Sequence, residues 1–223
     1  MHRSDPSRDC PLCPRLAAFR NTWRGNEPDW HNAPVPTLAD PRGDQHVRLL
    51  IVGLAPGLRG ANRTGRPFTG DYAGDLLYAT LAQFGFAAGQ YGADPADSLA
   101  LRQCAITNAV RCVPPQNKPV GAEINACRPW LEKTLARFAN LQAILTLGRI
   151  GHESTLRALG VRLAQVPFSH CGKHQIVRLT VFSSYHCSRY NTNTNRLTPQ
   201  MFQTVFAGIR SFVDGKDSSK DRD

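Results

Sequence analysis

The 223-residue sequence has no uninterrupted run of 18 apolar residues, so it contains no candidate transmembrane helix. Its first residues, MHRSDPSRDC, lack the apolar stretch of a secretory signal. We therefore expect a cytoplasmic protein with no membrane partner. The sequence also lacks internal repeats, and its length suits one large domain, or one domain with a small appendage.

Acidic residues are scarce: 17 Asp and Glu stand against 27 Lys and Arg, which gives a formal net charge of +10. Such an excess favours a polyanionic partner, and nucleic acid is the commonest one. The basic residues are spread through globular sequence, which suits a folded binding surface better than a tail. A basic protein without such a partner is the alternative, and charge alone does not decide between the two.

Short apolar runs alternate with segments of helical spacing along most of the chain. One example is HVRLLIVGLAPG, which is typical of a buried strand that enters a loop. The alternation predicts an α/β fold with a mostly parallel sheet covered on both faces. The predicted parts are an irregular N-terminal arm with one short helix (1–45), one α/β domain (46–213) and a charged, disordered tail (214–223).

Polar segments follow three of the predicted strands. They are the loop after IVGLAP, the end of AITNAVRC, and the stretch SSYHCSRYNTNTNRLT (183–198). In such folds the loops at the carboxyl ends of the strands lie at one edge of the sheet, where ligands bind. Plain connecting loops are the alternative, but the length of these segments and their many Asn, Arg and Thr side chains favour a site.

The seven cysteines are an odd number in a chain without an export signal, which argues against a disulfide framework. Cys10 and Cys13 form a C-x2-C pair in the arm, and Cys112 and Cys127 form a C-x14-C pair around a Pro-rich connection. Thiolates from two such remote segments suit either zinc or a [4Fe–4S] cluster that fastens the arm to the sheet domain. Unconnected thiols are the alternative.

The segments GLAPGLRGANRTGRPFTGD, TNAVRC and SYHCSRYNTNTNRLT, with the four spaced cysteines, resemble a B-type (family 5) uracil-DNA glycosylase over nearly the whole chain. The resemblance implies a three-layer α/β/α fold and a [4Fe–4S] cluster, in preference to zinc, on Cys10, Cys13, Cys112 and Cys127. It also implies removal of uracil, and of other deaminated bases such as hypoxanthine or xanthine, from DNA. The expected setting is base excision repair by a monomer associated with the nucleoid.

In the context of this resemblance, Asp71 and His186 are the candidate catalytic residues. His186 would donate a hydrogen bond to a carbonyl oxygen of the departing base, as a neutral imidazole or as an imidazolium. Asp71 would position or activate water and stabilise the cationic sugar, since Leu54 and Ala55 of the GLAPG loop can do no acid–base chemistry. A histidine that only caps backbone and an aspartate that only forms a turn are the alternatives.

A glycosylase must hold a flipped nucleotide in a pocket. Asn108 would read the base edge with its amide, and Phe68 would stack on the base unless it is an ordinary core residue. Glycines of the GLAPG loop would let the backbone approach the substrate closely. The expected substrate-binding residues are Gly53, Leu54, Ala55, Phe68 and Asn108.

The polar stretch 183–198 is expected to contact the DNA backbone. Ser188 would bind phosphate, and Arg189 would enter the duplex or pair with phosphate. The stretch departs from the family pattern, which usually has Pro where Cys187 stands and Gly where Asn195 stands. We expect the first change to loosen the loop and the second to be mild, because Asn tolerates a left-handed conformation.

Two other functions explain parts of the sequence. A nucleic-acid-binding protein with a structural metal and no catalysis accounts for the charge and the cysteines, but it leaves His186 and the FTGD segment without a purpose. A cluster-bearing electron carrier accounts for the cysteines but not for the basic surface. Substituting His186 or Asp71 separates the first from a glycosylase, because a pure binder has no turnover to lose.

Overall fold

The computed structural model describes residues 4–216, and its central feature is one mixed sheet. The strands are β1 (Leu38–Ala39), β2 (Leu49–Gly53), β3 (Ala87–Ala88), β4 (Ala100–Leu101), β5 (Cys104–Asn108), β6 (Ala143–Leu147), β7 (Gly172–Ile176) and β8 (Leu179–Ser184). In this part of the chain the main sheet has the order β1-β5-β2-β6-β8-β7, and β3 pairs separately with β4. The central strands β5, β2, β6 and β8 are parallel, and the edge strands β1 and β7 are antiparallel to their neighbours.

Helices cover both faces of this sheet. They are α1 (Pro14–Asn26), α2 (Ala61–Thr64), α3 (Tyr72–Gln83), α4 (Gly121–Arg137), α5 (Arg149–Ala158), α6 (Arg189–Asn193) and α7 (Pro199–Val213). Leu49 and Ile51 of β2 belong to the apolar core that contains α3 and α7, whereas Leu50 and Val52 belong to the core on the α4 side. Successive side chains of a strand point to opposite faces, so a strand buried on both faces is apolar throughout.

The predicted α/β class and the mostly parallel sheet are confirmed. The helix expected in the arm is present as α1, and the closing helix α7 begins where expected, with the Thr198 hydroxyl accepting a 3.2 Å hydrogen bond from the Met201 N–H. None of the helices within residues 4–216 is long and apolar enough to cross a bilayer.

Several short elements were not expected from the sequence, among them α2, β3, β4, β1 and α6. Strand β1 lies within the predicted arm yet pairs with β5 of the main sheet; its two residues are too few to show an alternating pattern. Helix α6 lies inside the polar stretch 183–198 and has no apolar face to mark it. Of the predicted tail, residues 217–223 lie outside the described part of the chain, so its disorder stays a prediction.

Candidate active site and cysteine cavity

The carboxyl ends of the parallel strands surround a cavity of about 560 Å³, called the main cavity below. Its lining includes the predicted site residues Leu54, Ala55, Asp71, His186, Ser188 and Arg189. The ends of the strands also align in register, since Gly53 of β2 pairs with Asn108 of β5 and Leu147 of β6 pairs with Ser184 of β8. The loop after β2 and the stretch 183–198 therefore meet at this cavity as predicted, whereas the predicted substrate-binding residues Gly53, Phe68 and Asn108 are not part of its lining.

Phe68 joins two parts of this site. Its ring stacks on His186 with 5.9 Å between the ring centroids, and its terminal carbon would lie 2.6 Å from a Cβ placed on Gly53. Phe68 has a φ of +53°, which a bulky residue adopts only when its surroundings enforce it, and such strain concentrates at functional sites. The hydroxyl of Tyr91 donates a 3.2 Å hydrogen bond to the Phe68 carbonyl and helps to hold this conformation.

Gly53 and Asn108 meet beneath Phe68. A Cβ on Gly53 would collide with Asn108 Oδ1 as well as with the phenyl ring, so the glycine is needed first for the packing of these two side chains. The sequence predicted that Gly53 lets the substrate approach the backbone closely. It did not predict that Gly53 is also needed for the packing of Asn108 and Phe68. Asn108 is 3% exposed, and its Oδ1 has no hydrogen-bond partner within residues 4–216. A buried acceptor left unpaired is costly and indicates a ligand donor.

His186 is half-buried at the wall of the main cavity, and burial lowers its pKa to about 4. The imidazole is therefore neutral near pH 7, which resolves the two protonation states that the sequence left open. Its main-chain carbonyl accepts a 2.8 Å hydrogen bond from Asn191 Nδ2 of α6, which fixes the backbone at the start of the loop. The neutral ring offers one N–H donor to the cavity.

The carboxylate of Asp71 has two different surroundings. Oδ1 accepts a 3.3 Å hydrogen bond from the Gly74 N–H as the N-cap of α3, so the turn-forming alternative describes part of its role. Oδ2 lies against the loop glycines, where a Cβ on Gly60 would come within 2.5 Å and one on Gly57 within 3.1 Å. Burial raises the pKa of Asp71 above the ordinary range, although the cap hydrogen bonds oppose this.

The two departures from the family pattern have local explanations. Cys187 is buried and its thiol donates to the Ala73 carbonyl at 3.5 Å, so it ties the loop to α3 where loosening was expected. Asn195 has a φ of +56°, the left-handed conformation that Asn tolerates. Ser188 accepts a 3.4 Å hydrogen bond from the Asn191 N–H as the N-cap of α6. Arg189 is exposed, with its guanidinium 5.3 Å from the ring centre of Tyr72.

One cluster that supports the site was missed by the sequence reasoning. Arg66 makes two 2.7 Å hydrogen bonds to the Asp97 carboxylate and lies over the rings of Tyr78 and Tyr91. The Tyr78 hydroxyl donates a 2.6 Å hydrogen bond to the carbonyl of Pro67, next to Phe68. These contacts stabilise the backbone around Phe68, the residue with the positive φ. No sequence signal marks the pair, because Arg66 and Asp97 are 31 residues apart in different loops.

The four cysteines of the predicted metal site line one cavity, the cysteine cavity, although they come from three separate segments: Cys10 and Cys13 near α1, Cys112 after β5, and Cys127 in α4. All four are free of disulfides. Within residues 4–216, however, no three His, Cys, Asp or Glu side chains are close enough to hold a single metal ion.

Buried N–H donors face these sulfur atoms. Arg20 Nη1 donates to Cys112 Sγ at 3.6 Å, and the Arg111 main-chain N–H donates to Cys127 Sγ at 3.3 Å. Arg20 is 3% exposed and forms no ion pair within the described residues. Its Nε and the indole N–H of Trp130, another residue of the lining, have no acceptor there. The cavity wall is therefore rich in unpaired donors.

Comparisons with known proteins agree with the site. The family model for the uracil DNA glycosylase superfamily matches residues 41–210. A type-5 uracil-DNA glycosylase of Thermus thermophilus is 42% identical over 204 residues, 88% of this chain and 90% of that protein. A type-5 uracil-DNA glycosylase of Mycobacterium leprae is 41% identical over 92% of this chain and 91% of that protein. One of Pyrobaculum aerophilum is 35% identical over 88% of this chain and 86% of that protein.

Proposed function

Because this chain belongs to the uracil-DNA glycosylase superfamily, we propose that it hydrolyses the N-glycosidic bond of uracil in DNA, as a step of base excision repair. One geometric observation supports this assignment most: the unpaired oxygen of Asn108 and the ring of Phe68 meet over Gly53, and Phe68 stacks on neutral His186. An aromatic face, a buried acceptor and a donor are what a flat base with alternating carbonyl and N–H groups requires.

Uracil fits these groups in the following way. Its N3–H donates to Asn108 Oδ1, and the Asn108 amide nitrogen donates to an adjacent carbonyl oxygen of the base. Phe68 stacks on the base. When the bond between N1 and C1′ breaks, its electron pair stays on the base and negative charge reaches a carbonyl oxygen. The His186 N–H, held in a low-dielectric wall, stabilises that charge as it develops.

Asp71 serves the other half of the reaction. The sugar becomes cationic as the base departs, and the carboxylate stabilises this charge and orients a water molecule toward C1′. The water oxygen bonds to C1′ and its proton passes to the carboxylate, while the base anion is finally protonated by solvent. The products are free uracil and an abasic site. Leu54 and Ala55 take no part in proton transfer, so the carboxylate has no second acid–base group beside it in their loop.

We extend the proposal to other deaminated bases, hypoxanthine and xanthine. The main cavity is wide, and Leu54 and Ala55 present apolar groups that make no hydrogen bonds to select one base edge. An apolar wall discriminates weakly between ligands of similar shape. We expect excision of these bases at rates within about two orders of magnitude of that for uracil, which parallel substrates in the assay below would measure.

The test of the proposed function uses a labelled duplex with one uracil opposite guanine. We expect alkali-dependent strand scission at the uracil after incubation with the protein, and none in a duplex with cytosine at that position. Free uracil should appear in equal amount. Tight binding to both duplexes without base release, from uracil or from the purine lesions, would show a DNA-binding protein without glycosylase activity.

We also propose that Cys10, Cys13, Cys112 and Cys127 hold a [4Fe–4S] cluster. Four cysteine thiols from three segments line one cavity, which supplies the four thiolate ligands that such a cluster needs. The preference for a cluster over zinc rests on the resemblance of the sequence to the family. The cationic Arg20, buried without a carboxylate, supports an anionic occupant of the cavity, since an uncompensated buried charge is strongly destabilising. The cluster would act structurally, by joining the arm, the segment after β5 and α4.

Replacing His186 with Phe should lower kcat on uracil by about 10²–10³-fold, because one donor to the developing charge is lost while the stacking on Phe68 is kept. Gln at this position restores an N–H donor and should recover part of the rate. Since the pKa of His186 is about 4, the wild-type rate should not rise as pH falls from 7 to 5. A tenfold rise per pH unit over that range would show that the imidazolium is the active form.

A further inference from the structure

A second cavity of about 240 Å³ adjoins the main cavity, and the two share Gly148, Arg149 and His186 in their walls. The rest of the second cavity is formed by Phe168, Ser169, Tyr185, Asn191 and Arg196. On the premise that the chain is a uracil-DNA glycosylase, we propose that this cavity binds a backbone phosphate of the damaged strand next to the flipped nucleotide, with Arg196 and Arg149 as its cationic ligands.

Arg196 is prepared for an external anion. Its guanidinium lies 4.8 Å from the ring centre of Tyr185, and the ring of His170 stacks on Tyr185 with 5.0 Å between centroids and 11° between planes. Arg196 itself is exposed and takes part in no ion pair within residues 4–216. Stacking holds the planar group in place at little cost in entropy, and its N–H groups remain free for a phosphate.

Arg149, another residue of the lining, adds positive potential. The side chain of Arg149 is 72% exposed, and its 3.9 Å approach to Glu153 is too long for a hydrogen bond. Arg149 is also the first residue of α5, whose N-cap Gly148 supplies no side-chain hydrogen bond and whose first turn has no acidic residue. The partial positive charge of an uncapped helix N-terminus therefore supplements the two arginines.

The ligand of this cavity is a phosphate rather than a second base. The Tyr185 ring already contacts both the Arg196 guanidinium and the stacked ring of His170, so its faces are engaged within the protein rather than offered to a base. The cavity is also distinct from the Ser188 and Arg189 contacts, which border only the main cavity. Two phosphates of one strand would then be held on either side of His186.

The decisive experiment replaces one phosphate at a time around the lesion by a neutral methylphosphonate. The duplex carries a 2′-fluoro-substituted deoxyuridine, which resists cleavage, and affinity is measured by fluorescence anisotropy. For the wild type we expect reduced affinity at the position bound by the second cavity. With Arg196→Gln, a methylphosphonate at that position should no longer reduce the affinity, whereas methylphosphonates at the other positions that reduce it for the wild type should still do so. The slope of log K against log salt should fall by about one.

Arg157→Gln is the control, because Arg157 is an exposed arginine that borders neither cavity, although it lies in the helix α5 that also carries Arg149. It should leave the position profile unchanged. A profile for Arg196→Gln identical to the wild type at every position would overturn the phosphate site. Excision of ordinary uracil is measured separately and tests the proposed glycosylase function. A failure of the phosphate site is therefore distinguished from a failure of the glycosylase assignment.

Discussion

Asp71→Asn should lower kcat for uracil excision by about 10²–10⁴-fold, with a much smaller change in DNA affinity. The carboxylate has one oxygen on the N-terminus of α3 and the other toward the loop glycines of the main cavity. Asparagine is an N-cap as good as aspartate, so the fold should keep its stability to within about 0.5 kcal/mol. The substitution therefore separates the capping role from the catalytic role.

The pH profile gives the same variant a second readout. The ionised form of Asp71 is the active one, and burial raises its pKa, so wild-type activity should fall on acidification at a pH above the usual carboxyl range. The residual activity of Asp71→Asn should not show this fall on acidification. Asp75→Asn, which removes an exposed carboxylate from the same helix, is the control. It should retain the rate and the fall at low pH, with the fall moved toward lower pH because the Asp75 charge contributes to the raised pKa of Asp71. A wild-type rate in Asp71→Asn would mean that Asp71 only caps the helix.

On the proposal that Cys112 is a cluster ligand, Cys112→Ala should lose iron and sulfide and lower the free energy of unfolding by about 2–5 kcal/mol, the range seen when a cross-link is lost from a small domain. Iron analysis, visible absorption and thermal unfolding would measure these effects. The loss is large because Cys112 lines the cavity with cysteines of the arm and of α4, and its sulfur accepts a hydrogen bond from buried Arg20. That cation would then lose both its acceptor and the negative charge beside it.

Cys104→Ala is the matched control for this variant. Cys104 is fully buried in β5, whereas Cys112 is half-buried, and Cys104 lies outside the cysteine cavity. The Cys104→Ala protein should keep its iron, and its free energy of unfolding should fall only by the amount expected for a small cavity. Unchanged iron in Cys112→Ala would show that Cys112 is not a ligand. Stoichiometric zinc without iron in the wild type would contradict the cluster itself.

Much of the site could be anticipated because its residues lie in local patterns. The apolar runs of β2, β5, β6 and β8 predicted parallel strands, and parallel strands bring the loops that follow them to one edge. The loops that carry Asp71 and His186 were therefore expected to meet, and both residues line the main cavity. The spacing of the cysteines likewise predicted that the arm returns to the segment after β5.

Other features depend on neighbours that are remote in the chain. Arg66 finds Asp97 across 31 residues, and buried Arg111 finds Asp5 across 106. Helix α6 and the stacked Arg196 carry no periodicity that a sequence pattern would show. Only the folded chain brings these groups together. No local pattern therefore predicts the contacts of Arg66 and Asp97 beside the Phe68 loop, and none predicts the second cavity.

The fold class and the strand ends could be predicted from the sequence alone, because hydrophobic periodicity and turn composition are local properties. The residues able to do the chemistry were predicted from the resemblance of their motifs to a known family. The tertiary structure decided the states of those residues. Neutral His186, the raised pKa of Asp71 and the unpaired Asn108 oxygen all follow from burial. Burial is set by which distant segments pack over a side chain, and that packing exists only in the folded protein.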